Sequence, residues 1–415
     1  MPMLATLARS GVYSERLELN GAVSRYPAHA TLVTGRGSDS HGIASDQLLS
    51  EQGVRSTPYW HASRLKGGSL WQAEAEAGGR VVALDWPTTV GASIDTLLPD
   101  LVPLRRGESW LTIIREGTSP WLMERIEPRM PPSGRSDWPT LDERDGLLVD
   151  LACDTTRLEP TPSLWLLRLS APGDAVWRNG PGTDASRKAF ARADARLRRL
   201  LGCFADSGLL DAISVVVVGG QAWQAVHTRI EPNVALQAAG LVARDPRVAT
   251  GVRSWKAIAR SNGGSAFVYA RDEASALLAR DILREEAQKT KAFRVVSASE
   301  MASVGADPEA WFGLEANPGF SFGNRAQGSE ILTASPFRGA GGYLKNTART
   351  PAGMVGWGAG LRRAVRVPVM PAVDIAPTLA ALLEVALPGA TGKPFVGILS
   401  FDPGQYRRHR LERKP

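Results

Sequence analysis

The residues with the clearest chemical potential lie in one short segment near the start of the chain. Ser24 and Arg25 precede a run that reads YPAHATLVTGRGSDSHGI over residues 26–43. A guanidinium is not a nucleophile, but it binds phosphate or carboxylate through two parallel hydrogen bonds and needs no metal. On an extended segment the Ser24 hydroxyl would point to the opposite side, so we do not expect it to act as a nucleophile. Arg25 is therefore our first candidate contact for an anionic small molecule.

The histidine and cysteine content argues against several kinds of site. The chain has five histidines and two cysteines, Cys153 and Cys203. Two cysteines are too few for a cysteine-based zinc site or a disulfide framework. We interpret them as two buried thiols of a reducing, cytoplasmic compartment. Asp85 and Asp95 are interpreted as turn caps rather than as catalytic acids.

Bulk composition predicts a globular protein. The chain has 415 residues, of which 43% are hydrophobic, and a formal net charge of +7. The basic residues are spread along the chain, and the densest cluster, 407–414, is interpreted as a solvated tail, so nucleic-acid binding is not predicted. No apolar run is long enough to span a bilayer, and we see no signal peptide, so no membrane partner is predicted.

Alternating helical and strand patterns predict an α/β fold. We expect helices at 3–10 and 184–207, a strand-to-helix junction at 30–34, and an irregular excursion at 107–145. Buried strands are expected at 80–85, 163–169 and 213–218. The run of valines in the last of these is typical of a parallel strand covered on both faces.

The chain divides into a core, residues 1–227 and 336–415, and a smaller inserted α/β subdomain, residues 228–335. Within the insert we expect strands Ser265–Ala270 and Phe293–Ser297 and a helix at 272–288. A last helix at 372–384 would have Asp374 as its N-cap.

Several segments carry a family resemblance in the expected order. The run at 26–43 resembles the nucleophile segment of the type I phosphodiesterase/nucleotide pyrophosphatase family of the alkaline phosphatase superfamily. Residues 81–98, Gly180-Pro181, Val215–Val218, Gly339–Leu344 and 373–399 resemble its later segments. The resemblance implies a central, mostly parallel sheet flanked by helices, and in active members a two-zinc phosphodiesterase site.

The chemistry of the family does not carry over to this sequence. The nucleophile position holds Arg25, and an asparagine that binds phosphoryl oxygens is replaced by Asp46. The first metal-binding Asp is expected on a strand ahead of the helix at 3–10, before the first residue of this sequence. The other metal positions fall on side chains that do not bind zinc well: Gly173, Trp177, Gly220, Gln221 and Gly341. We therefore expect no zinc and no other cofactor.

These departures predict a pseudoenzyme or a repurposed protein that binds an anionic small molecule or a partner. One alternative is a metal-independent enzyme of altered chemistry, perhaps of specialised metabolism, that uses Arg25, Asp46, Asp174 and a histidine. A second alternative is a residual phosphodiesterase. The candidate ligand contacts are Arg25, Asp46, Asp174, Trp177, Arg178, Gln221, Trp223, His227, Arg338 and Tyr343.

The resemblance leaves two further alternatives open. Arg25 either binds the anion or pairs with Asp46 or Asp174 and closes the cleft. His227 either lines the cleft or lies on the surface, whereas the resemblance gives His29 and His41 structural hydrogen-bonding roles. The expected absence of the family's first strand also predicts a homo-oligomer or a protein partner that covers the exposed sheet edge.

Overall fold

The computed structural model describes residues 1–19, 24–105, 107–130, 139–247, 251–344 and 351–403. The basic tail at 407–414 lies outside the described residues. Within them, no helix combines the length and the apolar character needed to cross a bilayer.

The helices alternate with strands along most of the chain. In chain order they are Pro2–Ser10 (α1), Arg25–Thr34 (α2), Ser38–His41 (α3), Leu70–Glu76 (α4), Trp110–Ile114 (α5), Pro120–Ile126 (α6), Leu141–Thr155 (α7), Ala171–Asn179 (α8), Asp184–Asp206 (α9), Pro232–Ala238 (α10), Glu273–Thr290 (α11), Ala298–Ser303 (α12) and Ile375–Leu382 (α13).

The strands are mostly short. They are Val12–Glu18 (β1), Gln47–Ser50 (β2), Gly53–Pro58 (β3), Val81–Trp86 (β4), Thr96–Pro99 (β5), Leu164–Leu167 (β6), Ser214–Val218 (β7), Gln224–Ile230 (β8), Val242–Arg244 (β9), Val252–Trp255 (β10), Ala257–Ser261 (β11), Ser265–Ala270 (β12), Phe293–Val296 (β13), Phe312–Ala316 (β14), Gly319–Phe322 (β15), Leu332–Ala334 (β16), Gly339–Ala340 (β17), Met354–Gly358 (β18) and Val365–Pro371 (β19).

Two sheets form the core of the α/β fold. One has the order β5-β4-β6 and is parallel throughout. The other has the order β19-β1-β18-β7, with β1 parallel to β19 and antiparallel to β18. Long helices cover both sheets: Phe204 of α9 contacts Trp165 of β6, and Leu201 of α9 packs in one cluster with Val355 of β18. The predicted α/β sheet flanked by helices is therefore confirmed.

The valine-rich strand differs from its prediction. β7 runs antiparallel to β18, and its residues are half-buried along the whole strand. Among the described residues β7 has a partner on one side only, so it is a sheet edge. The apolar run correctly predicted a strand. The predictions that this strand is parallel to its neighbour and buried on both faces were wrong.

Two other local expectations were wrong. Residues 30–34 lie inside α2, which ends when Gly35 takes the left-handed conformation (φ 65°). The segment 107–145 is not irregular in its described part, since it contains α5, α6 and the start of α7. Each of these helices begins at a Ser or Thr; Ser109 and Thr140 accept a backbone N–H at the helix start.

The part of the chain expected to be inserted has its own antiparallel sheet, β11-β12-β14-β13. Helices α10 and α11 pack on it, as the patterns at 265–270, 272–288 and 293–297 predicted. Its hydrophobic cluster extends to Val226 and to Tyr343. The boundaries at 228 and 335 stay a prediction.

The two cysteines form a disulfide, Cys153–Cys203, which joins α7 to α9 with a Cα–Cα distance of 5.3 Å. The interpretation as two free thiols was therefore wrong. Two lone cysteines carry no sequence signal of pairing, because the contact depends on how two separate helices pack. Disulfides persist mainly in oxidising compartments. The cytoplasmic location had been supported by two free thiols, and without that support it stays a prediction.

Candidate active site cleft

Arg25 is the first residue of α2, and Ser24 before it has the extended backbone of an N-cap. The rest of the helix, residues 26–34, is buried, so its start is fixed by the core. Ser24 is also buried, and its Oγ has no hydrogen-bond partner within the described structure. A hydroxyl enclosed in this way is not presented to a solute, which agrees with the expectation that Ser24 is not a nucleophile.

The Arg25 guanidinium is paired with a buried carboxylate, and the Arg25 side chain is partly exposed. Its Nη2 lies 3.7 Å from Oδ2 of Asp100, and its side chain is 33% exposed whereas that of Asp100 is 0% exposed. Its Cζ lies 4.8 Å from the ring centroid of Tyr26. The Tyr26 hydroxyl in turn donates to Asp100 at 3.0 Å. A third of the Arg25 side chain is therefore accessible to solvent.

A buried ionic network continues from Asp100. Arg168 Nη2 lies 2.7 Å from Asp100 Oδ1 and 2.7 Å from Asp85 Oδ2. Arg144 binds the same Asp85 oxygen at 3.1 Å. These four side chains are at most 8% exposed. Together with Arg25 the ion-paired set holds three arginines and two aspartates, so it has one excess positive charge even when both carboxyls are ionised.

The parallel sheet explains why these charges meet. Asp85 lies near the end of β4, Asp100 follows β5 directly, and Arg168 follows β6 directly. Carboxyl ends of parallel strands share one edge, where open α/β sheets commonly place their ligand sites. Sequence reasoning missed Asp100, Arg144 and Arg168, and the interpretation of Asp85 as a turn cap was wrong. The position of two aspartates at strand ends was the available signal.

The charges shift the pKa values of both carboxyls. For Asp100, burial raises the pKa, but Arg168 and Arg25 outweigh burial and lower it to about 2. For Asp85, burial is the largest effect and leaves the pKa raised, although Arg144 and Arg168 oppose it. For Arg25, burial lowers the pKa, but the attraction of Asp100 and other acidic groups outweighs it, so the pKa is raised. Arg25 is therefore a permanent cation in this environment.

The turn after β4 is strained and contains unpaired polar atoms. Asp85 and Thr88 both have φ of 59°, a conformation that non-glycine residues rarely adopt. Asp85 Oδ1 and Thr88 Oγ1 are buried and lack a hydrogen-bond partner in the described part of the chain. Strain and unpaired polar groups of this kind cluster at functional sites. The strained turn lies at the same edge of the sheet as the ionic network.

His29 and His41 have the structural roles that the resemblance implied. His29 Nδ1 lies 2.7 Å from the carbonyl oxygen of Arg25, so Nδ1 carries the proton and donates. The His41 ring lies between the hydroxyl of Thr31 and the backbone N–H of Ile43. Burial lowers the pKa of each to about 3, so both rings are neutral at physiological pH.

A model of the type I phosphodiesterase/nucleotide pyrophosphatase family matches residues 1–329. The chain belongs to this family. Murine ectonucleotide pyrophosphatase/phosphodiesterase 5, in an inactive form in complex with AMP, is 15% identical with a TM-score of 0.68, and the match covers 96% of this chain and 94% of that one. The human protein matches over the same shares at 15% identity and a TM-score of 0.67. These similarities show the fold, and no curated protein sequence matches the chain significantly.

Two of the positions expected to correspond to the family's metal ligands, Gly341 and Gln221, are in contact, and two others lie against neighbouring rings. A Cβ at Gly220 would be 3.4 Å from His29 Cε1, and one at Gly341 would be 2.9 Å from Gln221 Cδ. A Cβ at Gly173 would be 3.8 Å from the indole of Trp223. The segment at 220–221 thus lies against His29, one helical turn from Arg25 on α2.

The side chains at these positions do not fit two zinc ions. Zinc in this family needs carboxylate and imidazole donors, and the five positions offer three glycines, Trp177 and Gln221. In the described residues no group of three or more His, Cys, Asp or Glu side chains could hold a metal ion. We derive no catalytic step through zinc.

The remaining candidate contacts are only partly assembled. Asp174 pairs with Arg178 on α8 at 2.8 Å, so it is not a partner of Arg25. Trp177 stacks on Phe337 with ring centroids 3.3 Å apart. Asp46 accepts the backbone N–H of Tyr26 at 2.7 Å and so stays beside Arg25.

The last three candidates make contacts that do not involve Arg25. Arg338 is exposed, and its Nη1 donates to the carbonyl oxygen of Ser335. His227 is exposed on β8, which agrees with the surface alternative. Tyr343 is buried in the hydrophobic cluster around Val226, and its hydroxyl donates to the carbonyl oxygen of Phe320 at 2.8 Å. None of these three contacts points to a shared ligand with Arg25.

Proposed function

We propose that this chain is a metal-independent member of the type I phosphodiesterase family that binds an anionic small molecule through Arg25. The observation that carries the proposal is the environment of Arg25. Its side chain is 33% exposed, whereas its ion-pair partner Asp100 is fully buried. An anion can therefore reach the guanidinium but not the carboxylate that fixes it.

The chemistry of such a contact favours phosphate or carboxylate. A guanidinium presents parallel N–H groups that match two oxygens of either anion. The excess positive charge of the network, with Arg168 and Arg144 behind Asp100 and Asp85, adds a favourable field. Asp46 opposes binding because it is a neighbouring carboxylate and takes the Tyr26 N–H that an anion could use.

A metal-independent enzyme is the second candidate, and the geometry favours it less. Its proposed groups were Arg25, Asp46, Asp174 and a histidine, but Asp174 is engaged by Arg178. His29 is neutral, with a pKa lowered to about 3 mainly by burial, so it is a weak base at neutral pH. A residual phosphodiesterase is the third candidate, and membership of the family is the observation that favours it.

Calorimetric titration with inorganic phosphate tests the proposal. We expect binding by the unaltered protein and a loss of about tenfold or more in affinity for R25Q, since a charge-assisted bidentate contact is removed. R178Q is the matched control, because Arg178 is exposed and already paired with Asp174, and it should bind like the unaltered protein. Equal affinity of R25Q and the unaltered protein would contradict the proposal.

Turnover of bis(p-nitrophenyl) phosphate separates binding from catalysis. We expect no turnover above background with added zinc or with EDTA. Zinc-dependent turnover at ordinary enzyme rates would support the residual phosphodiesterase. Turnover that is unaffected by EDTA and lost in R25Q would support the metal-independent enzyme.

A further inference from the structure

Each of the two core sheets ends at a strand that has one neighbour. Within the described residues β6 pairs with β4 alone, and β7 pairs with β18 alone. The chain passes from β6 to β7 through α8 and α9, and a helical crossover of this kind joins strands of one parallel sheet. β6 and β7 are thus consecutive strands whose free edges do not pair with each other.

Helices on both faces limit the distance between these two edges. On one face, Leu200 and Leu201 of α9 pack in the apolar clusters of β6 and β7, respectively. On the other face, Val33 and Leu32 of α2 pack in the clusters of β6 and β7. Because adjacent residues of one helix reach both sheets, the edges are separated by about one helix diameter, about 10 Å. Paired strands lie about 4.8 Å apart, so the gap has the width of one strand.

We call this gap the edge slot, bounded by Leu164–Leu167 of β6 and Ser214–Val218 of β7. Each residue of β7 is half-buried, although Val215 packs in the cluster of α9 and Val216 packs in the cluster of α2. Solvent therefore reaches the strand from its free edge, and the slot is open.

Backbone groups of β7 point into the edge slot. The N–H of Gly219 donates to the carbonyl oxygen of Gly353 at 2.9 Å, across the pairing of β7 with β18. Backbone N–H groups along a strand alternate between its two sides. Val216 and Val218 therefore direct their N–H and C=O groups away from β18 and towards the slot.

The opposite side of the edge slot presents the same kind of row. The N–H of Arg168 donates to the carbonyl oxygen of Leu84 at 3.2 Å, across the pairing of β6 with β4. By the same alternation, Trp165 and Leu167 direct their backbone groups away from β4 and towards the slot. A single strand in the slot would thus find donors and acceptors on both of its sides.

The His29 ring shows that the two sheets have the same orientation. Its centroid lies 4.9 Å from that of Trp86, the last residue of β4. A Cβ at Gly220, just after β7, would lie 3.4 Å from the same ring. The carboxyl ends of β4 and β7 therefore lie at one edge, and a strand between β6 and β7 would be parallel to both.

We propose that the edge slot binds one extended segment of a partner polypeptide by strand addition. Main-chain hydrogen bonds to both edges supply affinity. Because apolar clusters lie on both faces of the slot, the segment is a continuous apolar run rather than an alternating one. β6 and β7 have four and five residues, so a run of about five residues, rich in Val and Ile and free of Pro, matches their length.

Fluorescence anisotropy of a labelled peptide tests the proposal. The probe is the peptide EEVIVVIGS, and two control peptides differ only in the apolar run. EEVIPVIGS has a central Pro that lacks an N–H for the ladder. EEVSVSVGS alternates and suits a strand with one apolar face. We expect the full-length protein to bind the probe about tenfold or more tightly than either control.

Amide hydrogen exchange measured by nuclear magnetic resonance locates the bound peptide without any substitution. In the free protein the amides of Val216 and Val218 should exchange faster than those of Val215 and Val217, which face β18. Saturation with the probe should slow exchange at Val216 and Val218 by about tenfold or more. V216P removes an N–H that faces the slot and should abolish binding of the probe. Because a filled slot leaves β7 no free edge, the probe should also reduce self-association through this strand.

Three outcomes would overturn the inference. Equal binding of the three peptides, or none by any of them, would show that the slot does not add a strand. Slow exchange at Val216 and Val218 in the free monomer would show that this edge is already paired. A dimer in which these two amides are protected, and which the probe leaves intact, would assign the slot to a second copy of the chain.

Discussion

The carboxylate of Asp46 accepts a hydrogen bond from the backbone N–H of Tyr26 at 2.7 Å. Tyr26 directly follows Arg25, whose guanidinium we assign to anion binding. The D46N substitution keeps an oxygen acceptor for this N–H and removes the negative charge. We expect phosphate affinity to rise by about three- to tenfold, because Coulombic repulsion of the anion is relieved. Calorimetric titration measures the change.

The D174N variant is the control for this prediction. Asp174 is paired with Arg178 rather than with Arg25, so its neutralisation should leave phosphate affinity unchanged. Equal gains for both variants would show an effect of net charge alone, and no gain for D46N would place the anion elsewhere.

The buried ionic network should dominate the stability of this edge of the sheet. We expect R168Q to lower the free energy of unfolding by about 3–5 kcal/mol, because it leaves Asp85 and Asp100 buried without their shared cation. R187Q, which breaks an exposed pair with Asp184, should change it by at most about 1 kcal/mol. Urea unfolding followed by tryptophan fluorescence provides the comparison, and similar values for the two variants would contradict the prediction.

His29 and His41 should make the protein sensitive to acid. Their folded pKa values are lowered to about 3, mainly by burial, whereas an unfolded histidine has a pKa of about 6.5. Between these values the unfolded chain takes up two protons that the native state does not, so stability falls as the pH falls through this window. Asp145 partly offsets this loss of stability. Burial raises its pKa in the native state to about 6, so the native state takes up this proton at a higher pH than the unfolded chain does.

Nuclear magnetic resonance of the imidazoles tests this directly. The His29 and His41 resonances, assigned by their loss in H29Q and H41Q, should not titrate above about pH 4. Titration of either ring near pH 6.5 would show that it is accessible to solvent in the native state.

The disulfide should contribute to stability through the two helices that it joins. We expect the C153S/C203S double variant to lose about 2–4 kcal/mol of unfolding free energy. Mass spectrometry of a non-reduced tryptic digest should recover the peptides of Cys153 and Cys203 as one linked species. Two titratable thiols per denatured, unreduced chain would contradict the pairing.

The free edge of β7 bears on the predicted self-association. Four consecutive valines there are half-buried, and within the described residues β7 has one neighbouring strand. An apolar edge of this kind pairs readily with another chain. We expect multi-angle light scattering to report a dimer or larger species, and V216K to shift it towards the monomer. A monomer at micromolar concentration would count against the prediction.

Sequence patterns predicted the helices and strands whose buried face is determined by the residues of that one segment. The apolar run before Asp85 and the amphipathic pattern at 184–207 each predicted an element close to its observed bounds. The direction of β7 was not predictable in this way, because Val216 pairs with Gly356, a residue distant in sequence. Which distant strands pair depends on the tertiary fold, and the pattern of a single segment carries no information about it.

The sequence allowed Arg25 to be predicted as part of the candidate site, but it did not allow the partners of Arg25 to be predicted. Its position rested on the segment that follows it, but its partner Asp100 was missed in favour of Asp46 and Asp174. In sequence, Arg144 and Arg168 look like any solvated charge, since only burial by other segments distinguishes them. The placement of Asp85 and Asp100 at ends of neighbouring parallel strands was the one cue that would have joined them.

The close approach at Gly341 couples any acquisition of a metal-binding side chain at this position to movement of its neighbours. A Cβ there would lie 2.9 Å from the side chain of Gln221 and 3.1 Å from the carbonyl oxygen of Ala222. A change at 221 removes the first obstacle, but the second is main chain and moves only if the segment shifts. A histidine at 341 therefore needs the Gln221 side chain to move and the main chain at Ala222 to give by a few tenths of an ångström.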